Sequence, residues 1–201
     1  SPTRLWKTAD CAFRFCDRYA AGPVDAEVLG VAPRNVSTRR GGLLPLETRK
    51  RLGIHREVDP APRRRAWAAL LDRHLERWGG TVRLFPFHTG SLSSSDDAEC
   101  EGIASLMRSA SRVEIHRGHD LGATLDAFSE CRVVLGVPLH SSIMAVVTGS
   151  VPVAIPYASK GVRFMSEIGL SDLCLTERLS EGTIPRAAAV VDLAWAAAPD
   201  I

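Results

Sequence analysis

From Val28 onward the chain alternates short apolar runs with longer amphipathic stretches. "VLGVA" (28–32) predicts a strand, followed by a polar, basic loop to about residue 60. "APRRRAWAALLDRHLERWGG" predicts a helix: Pro62 falls in its first turn, Trp67, Leu70, Leu71, Leu75 and Trp78 recur at helical spacing, and Gly79 stops it. "TVRLFPF" reads as a strand and "SSSDDAECEGIASLMRSA" as a helix opened by the serines and aspartates that cap orphan N–H groups. The alternation continues with "RVEIH" as strand, "DLGATLDAFSEC" as helix, "RVVLGV" as strand and "LHSSIMAVVTG" as helix. "VPVAIP" and "DLCL" then read as strands, with "GVRFMSEIG" and "IPRAAAVVDLAWAAA" as helices. The later strands are apolar at every position rather than at every second one. That pattern predicts a parallel sheet covered on both faces, an α/β doubly wound, Rossmann-like domain.

In such a sheet ligands bind beyond the carboxyl ends of the strands, where helices begin. The rule turns the pattern into candidate positions: Pro33, Arg34 and Asn35; His88, Thr89 and Ser91; His116 and Arg117; Pro138, Leu139 and His140; Tyr157, Ser159 and Lys160. Helix N-termini present unpaired N–H groups and favour negative charge. Arg34, Lys160 and the first turn after Leu139 are therefore expected to bind a phosphate or a carboxylate. A helix start disfavours a protonated imidazole, and an anion beside it favours one, so His140 is a candidate general acid charged when its substrate is present. For His88 and His116 a structural role stands ahead of a catalytic one, and Asp96 and Asp97 read as caps.

The composition agrees with a globular chain: 201 residues, 45% hydrophobic and 24% charged. A formal net charge of +2 gives no argument for nucleic acid. Basic runs such as "RNVSTRRGG", "ETRKRLGIHR" and "PRRRAW" make the first third locally cationic, which fits an anionic ligand, an acidic neighbouring surface or a solvated face. The five cysteines form no CxxC pair and no zinc-like cluster, so no metal is expected, and reduced thiols in a cytoplasmic protein are. No GxGxxG or GxxxxGK[ST] follows a strand, no GxSxG or HExxH occurs, and no apolar run approaches the roughly 18 residues of a membrane span.

The segment "RVVLGVPLHSSIMAVVTGSVPVAIPYASKGVRFMSEIGL" resembles the C-terminal half of the polysaccharide pyruvyl transferase family. That family's hallmark is an apolar strand, Arg-Leu-His, a helix of small and apolar residues, Gly-Val-Pro, a second strand, then Tyr, two residues and Lys. Leu139, His140, Val151, Pro152, Tyr157 and Lys160 stand at the matching positions, while Pro138 stands where the family has Arg. "ADCAFRF" resembles the close of the family's N-terminal domain, "LGVAPRN" the strand ending in Arg that opens its C-terminal domain, and "FPFHTGSLSSSDD" the next strand and its Asp.

The resemblance implies one Rossmann-like half of a GT-B-type enzyme. Residues 28–201 would be the donor-binding domain and residues 1–27 the tail of an N-terminal, acceptor-binding half or a linker. It implies phosphoenolpyruvate as donor substrate, no further cofactor, and a glycan or lipid-linked sugar as acceptor, with the enzyme cytoplasmic and peripheral to the membrane at most. His140 would be catalytic. Arg34, Lys160, Leu139, Ser141, Tyr157, His88 and Arg117 would contact substrate, Arg117 or Arg39 replacing the arginine lost at Pro138. The competing readings are a GT-B glycosyltransferase using a nucleotide sugar and a non-catalytic domain that binds an anion or a partner.

Overall fold

A computed structural model describes residues 11–19, 27–34, 59–88, 95–118 and 120–198. Strands β1 (Val28–Ala32), β2 (Thr81–Leu84), β3 (Val113–Ile115), β4 (Val133–Gly136) and β5 (Val151–Ala154) form one parallel sheet in the order β3-β2-β1-β4-β5. The chain works outward from β1 to β3, returns to the other side of β1, and continues outward to β5. This is the doubly wound α/β order that the apolar pattern predicts.

Both faces of the sheet are covered. Leu29 and Val31 of β1, with Val133 and Leu135 of β4, pack against α1 (Ala61–Trp78) and α6 (Ile184–Ala197). Ala32 and Val134 point the other way, into a second core shared by α3 (Leu121–Ser129) and α4 (Leu139–Val147). Water reaches neither face, so every position of β4 and β5 is buried and their sequences cannot alternate. Leu70, Leu71 and Leu75 of α1 are all but fully buried, each contributing about 1.5–3 kcal/mol of burial free energy.

Local chemistry sets the element ends. Gly79 closes α1 at φ +76°, its N–H bonded to the Leu75 carbonyl at 3.0 Å. Gly80 follows at φ +72°, and a Cβ there would lie 2.1 Å from the Glu27 carbonyl oxygen, so only glycine makes this turn into β2. Helix α2 (Asp96–Ala104) is capped by Ser95, whose hydroxyl accepts from the Ala98 N–H at 3.3 Å. It ends earlier than its sequence pattern predicts. Buried Asp72 of α1 accepts the backbone N–H groups of Arg108 and Ser109 at 3.0 and 3.1 Å, and those bonds hold the chain in a turn where the helix would otherwise run on.

Two further differences from the sequence reading have clear causes. "DLCL" is not a strand: Ser171–Leu173 form a short 3₁₀ turn, and a single bridge joins Cys174 to Ala154 at the sheet edge. The basic run at the start of α1 is largely committed inside the protein. Arg63 and Arg64 both donate to the carboxylate of Glu99, itself 1% exposed, at 2.7 to 3.0 Å, which fastens α2 to α1.

Ahead of the sheet, a 3₁₀ helix (Cys11–Arg18) lies against α4. Phe13, Phe15 and Tyr19 pack on the second core, with the Phe13 ring 6.5 Å from that of Phe164 in α5 (Ser159–Glu167), and the Tyr19 hydroxyl donates to Asp126. The buried thiols are core fillers: burial pushes Cys131 up to about 12 and Cys100 further upward, so neither is a nucleophile near neutral pH. Among the described residues no helix is long and apolar enough to cross a membrane.

Candidate functional site

The sheet order reverses between β1 and β4, and in a doubly wound sheet ligands bind at such a switch point, beyond the carboxyl ends of the two strands. Ladder-like bonds hold the segments that follow: Val137 donates to Ala32 at 3.0 Å, Ile155 to Gly136 at 2.9 Å, and His116 to Leu84 at 2.9 Å. The residues just after each strand are thus fixed at one edge of the sheet. Arg34 follows β1, His140 is the second residue of α4, and Lys160 is the second residue of α5.

Arg34 is half-buried, with its guanidinium 5.9 Å from the centre of the Tyr157 ring. The contact spans the switch point, joining the end of β1 to the segment after β5. Stacking over an aromatic face holds a guanidinium without consuming its hydrogen-bond donors, which leaves Arg34 equipped to grip an anion. Lys160 and His140 are exposed in the first turns of their helices, where unpaired N–H groups add positive potential.

Pro138 is buried and is the N-cap of α4, at φ −69° and ψ 140°. Its carbonyl accepts both the Ser141 N–H at 3.1 Å and the Ser141 hydroxyl at 2.6 Å. The position at which the family resemblance leads one to expect an arginine is therefore part of a packed turn. Ser141 is fully buried, so its hydroxyl does not reach the surface where the expected substrate contact would lie. A Cβ added to Gly136 would lie 1.9 Å from the Ser141 Oγ, so strand β4 and the first turn of α4 approach as closely as glycine allows. Leu139 packs half-buried against the second core.

The remaining candidates are dispersed. His88 has an exposed side chain and is held through its backbone: its N–H donates to the Asp96 carboxylate at 2.8 Å, and its carbonyl accepts the Asp96 N–H at 2.9 Å. Arg117 is exposed and pairs with Glu101 of α2 at 3.2 Å, so in this arrangement it does not replace a cation at Pro138. Asn35, Arg39, Thr89 and Ser91 lie outside the described residues, as do the basic runs around Arg40 and Arg49–Arg51.

Asp96 is not the cap its sequence context suggests: Ser95 takes that place, and the Asp96 carboxylate turns to the His88 backbone instead. It is 1% exposed, and burial pushes its carboxyl above the usual carboxylate range, opposed by the His88 N–H and by the charge of Arg34. Through its two bonds to the His88 backbone, this buried carboxyl-bearing residue anchors the segment after β2. The serine run before two aspartates signals a helix start, but nothing in it marks which aspartate turns inward. Among the described residues no group of three His, Cys, Asp or Glu side chains gathers closely enough to hold a metal ion.

No protein-family model matches the chain, and no curated protein does. Among solved structures, a point mutant of the O-GlcNAc transferase of Thermobaculum terrenum aligns with 89% of this chain at 16% identity and a TM-score of 0.44. The chain spans 33% of that protein's length. A likeness at this level transfers no residue role.

Proposed function

We propose that this chain is the donor-binding half of a transferase that moves a pyruvyl group from phosphoenolpyruvate to two hydroxyls of a sugar, forming a cyclic ketal on a cell-surface polysaccharide or its precursor. The observation that carries the reading is the cationic rim at the switch point: Arg34 stacked on Tyr157, with His140 and Lys160 in the first turns of the two helices beside it. Phosphoenolpyruvate has a phosphate and a carboxylate, and Arg34 and Lys160 give each a cation. His140 delivers a proton to the methylene carbon, and the neighbouring carbon becomes the electrophile for a sugar hydroxyl. A second hydroxyl then displaces inorganic phosphate and closes the ketal. Such a site accelerates the reaction by orientation and by stabilising charge as it develops.

Calorimetric titration of the 201-residue chain with phosphoenolpyruvate, and separately with nucleotide sugars, tests the assignment. Phosphoenolpyruvate is expected to bind, with affinity falling at least about tenfold in Arg34→Ala and in Lys160→Ala, the loss of one charge-assisted contact each. His140→Gln is expected to retain binding, since its role is proton delivery. Binding of nucleotide sugars alone would reject the donor, and silence toward both ligands would reject donor binding by this chain.

A further inference from the structure

A concave feature lies on the same edge of the sheet and is unused by the chemistry above. It is a pocket of about 280 Å³ between the ends of β2 and β3 and the start of α3, close to the lower end of volumes that hold small molecules. Phe85, Pro86 and Phe87 form one wall and Leu121, 52% exposed, forms the rim. His116, Asp120 and Thr124 bring an imidazole, a carboxylate and a hydroxyl to the same space. Asp120 Oδ1 caps α3 by accepting the Ala123 N–H at 2.8 Å, and the Thr124 hydroxyl, 3.4 Å from His116 Nε2, donates to the Asp120 carbonyl at 2.9 Å, so toward a ligand the carboxylate and the hydroxyl act as acceptors. Gly118 keeps it open: a Cβ there would lie 2.5 Å from the His116 Nε2.

Three observations narrow the occupant. Among the described residues no lysine or arginine lines the pocket and a carboxylate does, so an anion is disfavoured and a neutral ligand rich in O–H donors is favoured. The aromatic walls are not parallel: Phe85 and Phe87 both pack on Phe128, tilted by 49° and 78°, so they offer no slot for a flat ring. Met144 also lines the pocket, one helical turn beyond His140 on the same face of α4. A ligand touching Met144 therefore lies about one helical turn along α4 from His140.

We infer that this pocket binds a single pyranose ring, its C–H face against Phe87 and Leu121 and its hydroxyls toward Asp120, Thr124 and His116. It rests on the pyruvyl-transfer reading only in naming that ring as the acceptor's sugar. One acceptor contact would then be made by the donor-binding half itself.

Titration of the 201-residue chain, followed by NMR, with methyl galactopyranoside, methyl mannopyranoside and uridine at millimolar concentration tests the inference. At least one pyranoside is expected to bind. Asp120→Asn keeps the helix cap but removes the charge, and is expected to weaken that binding about tenfold. Leu121→Asp, at an exposed position that leaves the core intact, is expected to weaken it similarly. Uridine binding in place of both pyranosides, binding of neither class, or pyranoside binding unchanged in both variants would overturn the assignment. Phosphoenolpyruvate titrated into the same samples separates the two claims. Phosphoenolpyruvate binding without pyranoside binding overturns the sugar site alone, and the converse supports it while rejecting the donor.

Discussion

His74 of α1 is 4% exposed, and neither ring nitrogen has a hydrogen-bond partner among the described residues. The ring meets Trp195 of α6 edge-on, centroids 4.6 Å apart, while Arg132 lies over Trp195 at 5.2 Å. Burial lowers its pKa from the ordinary 6.5 to about 4, against a smaller opposing pull from Asp192. Above pH 6.5 both folded and unfolded chains hold the imidazole neutral, and it adds no pH dependence. Between 6.5 and 4 the unfolded chain takes up a proton that the folded one refuses, so stability falls as pH falls, by about 2.5 kcal/mol at pH 4.5. Asp96, whose pKa is raised, acts with the opposite sign, so the comparison must be with a variant. His74→Phe keeps the contact with Trp195 and is expected to remove that share of the slope. Urea unfolding of both chains at pH 7 and 4.5 checks it, and an unchanged difference would refute it. Helical spacing places His74 on the apolar stripe, one turn from Leu70 and Leu71 and two from Trp67, but nothing in the sequence shows that its ring nitrogens go unbonded there.

At the scale of elements, β1 and α1 follow their sequence pattern closely, since period and caps agree there. The fragments that depart from it are those decided from a distance: Asp72 ends α2, and the edge strand expected at "DLCL" has only one bridge to pair with. The candidate site divides in the same way. Placement of Arg34, His140 and Lys160 at one edge was legible because it needs only the strand ends and the parallel order. The inward turn of Ser141 was not, because serine at a helix start is as often a surface cap. The β4–α4 turn makes this testable. Gly136→Ala forces a methyl group into the Ser141 hydroxyl and is expected to cost about 1–3 kcal/mol, read as a lower urea midpoint. Adding Ser141→Ala is expected to restore part of the loss, because the Oγ is the atom nearest the new methyl. No recovery in the double variant would show that the backbone, not the hydroxyl, sets the fit.

For the whole molecule, the alternation of apolar runs was enough to predict a doubly wound sheet, but strand order and the docking of the 3₁₀ helix on α4 depend on contacts between distant segments, which periodicity does not encode. These contacts divide the edge into unequal halves. Helix α4 buries Ser141, Ser142, Ile143, Met144, Ala145 and Val147 and is pressed against Gly136, whereas α5 buries only Gly161 and Met165. Amide hydrogen exchange is therefore expected to be slow along α4 and faster along α5, with phosphoenolpyruvate slowing α5 more than α4. Equal protection of the two helices would contradict this. The tight seat at Gly136 thus fixes the backbone that carries His140, whereas Lys160 stands on the less deeply buried of the two helices.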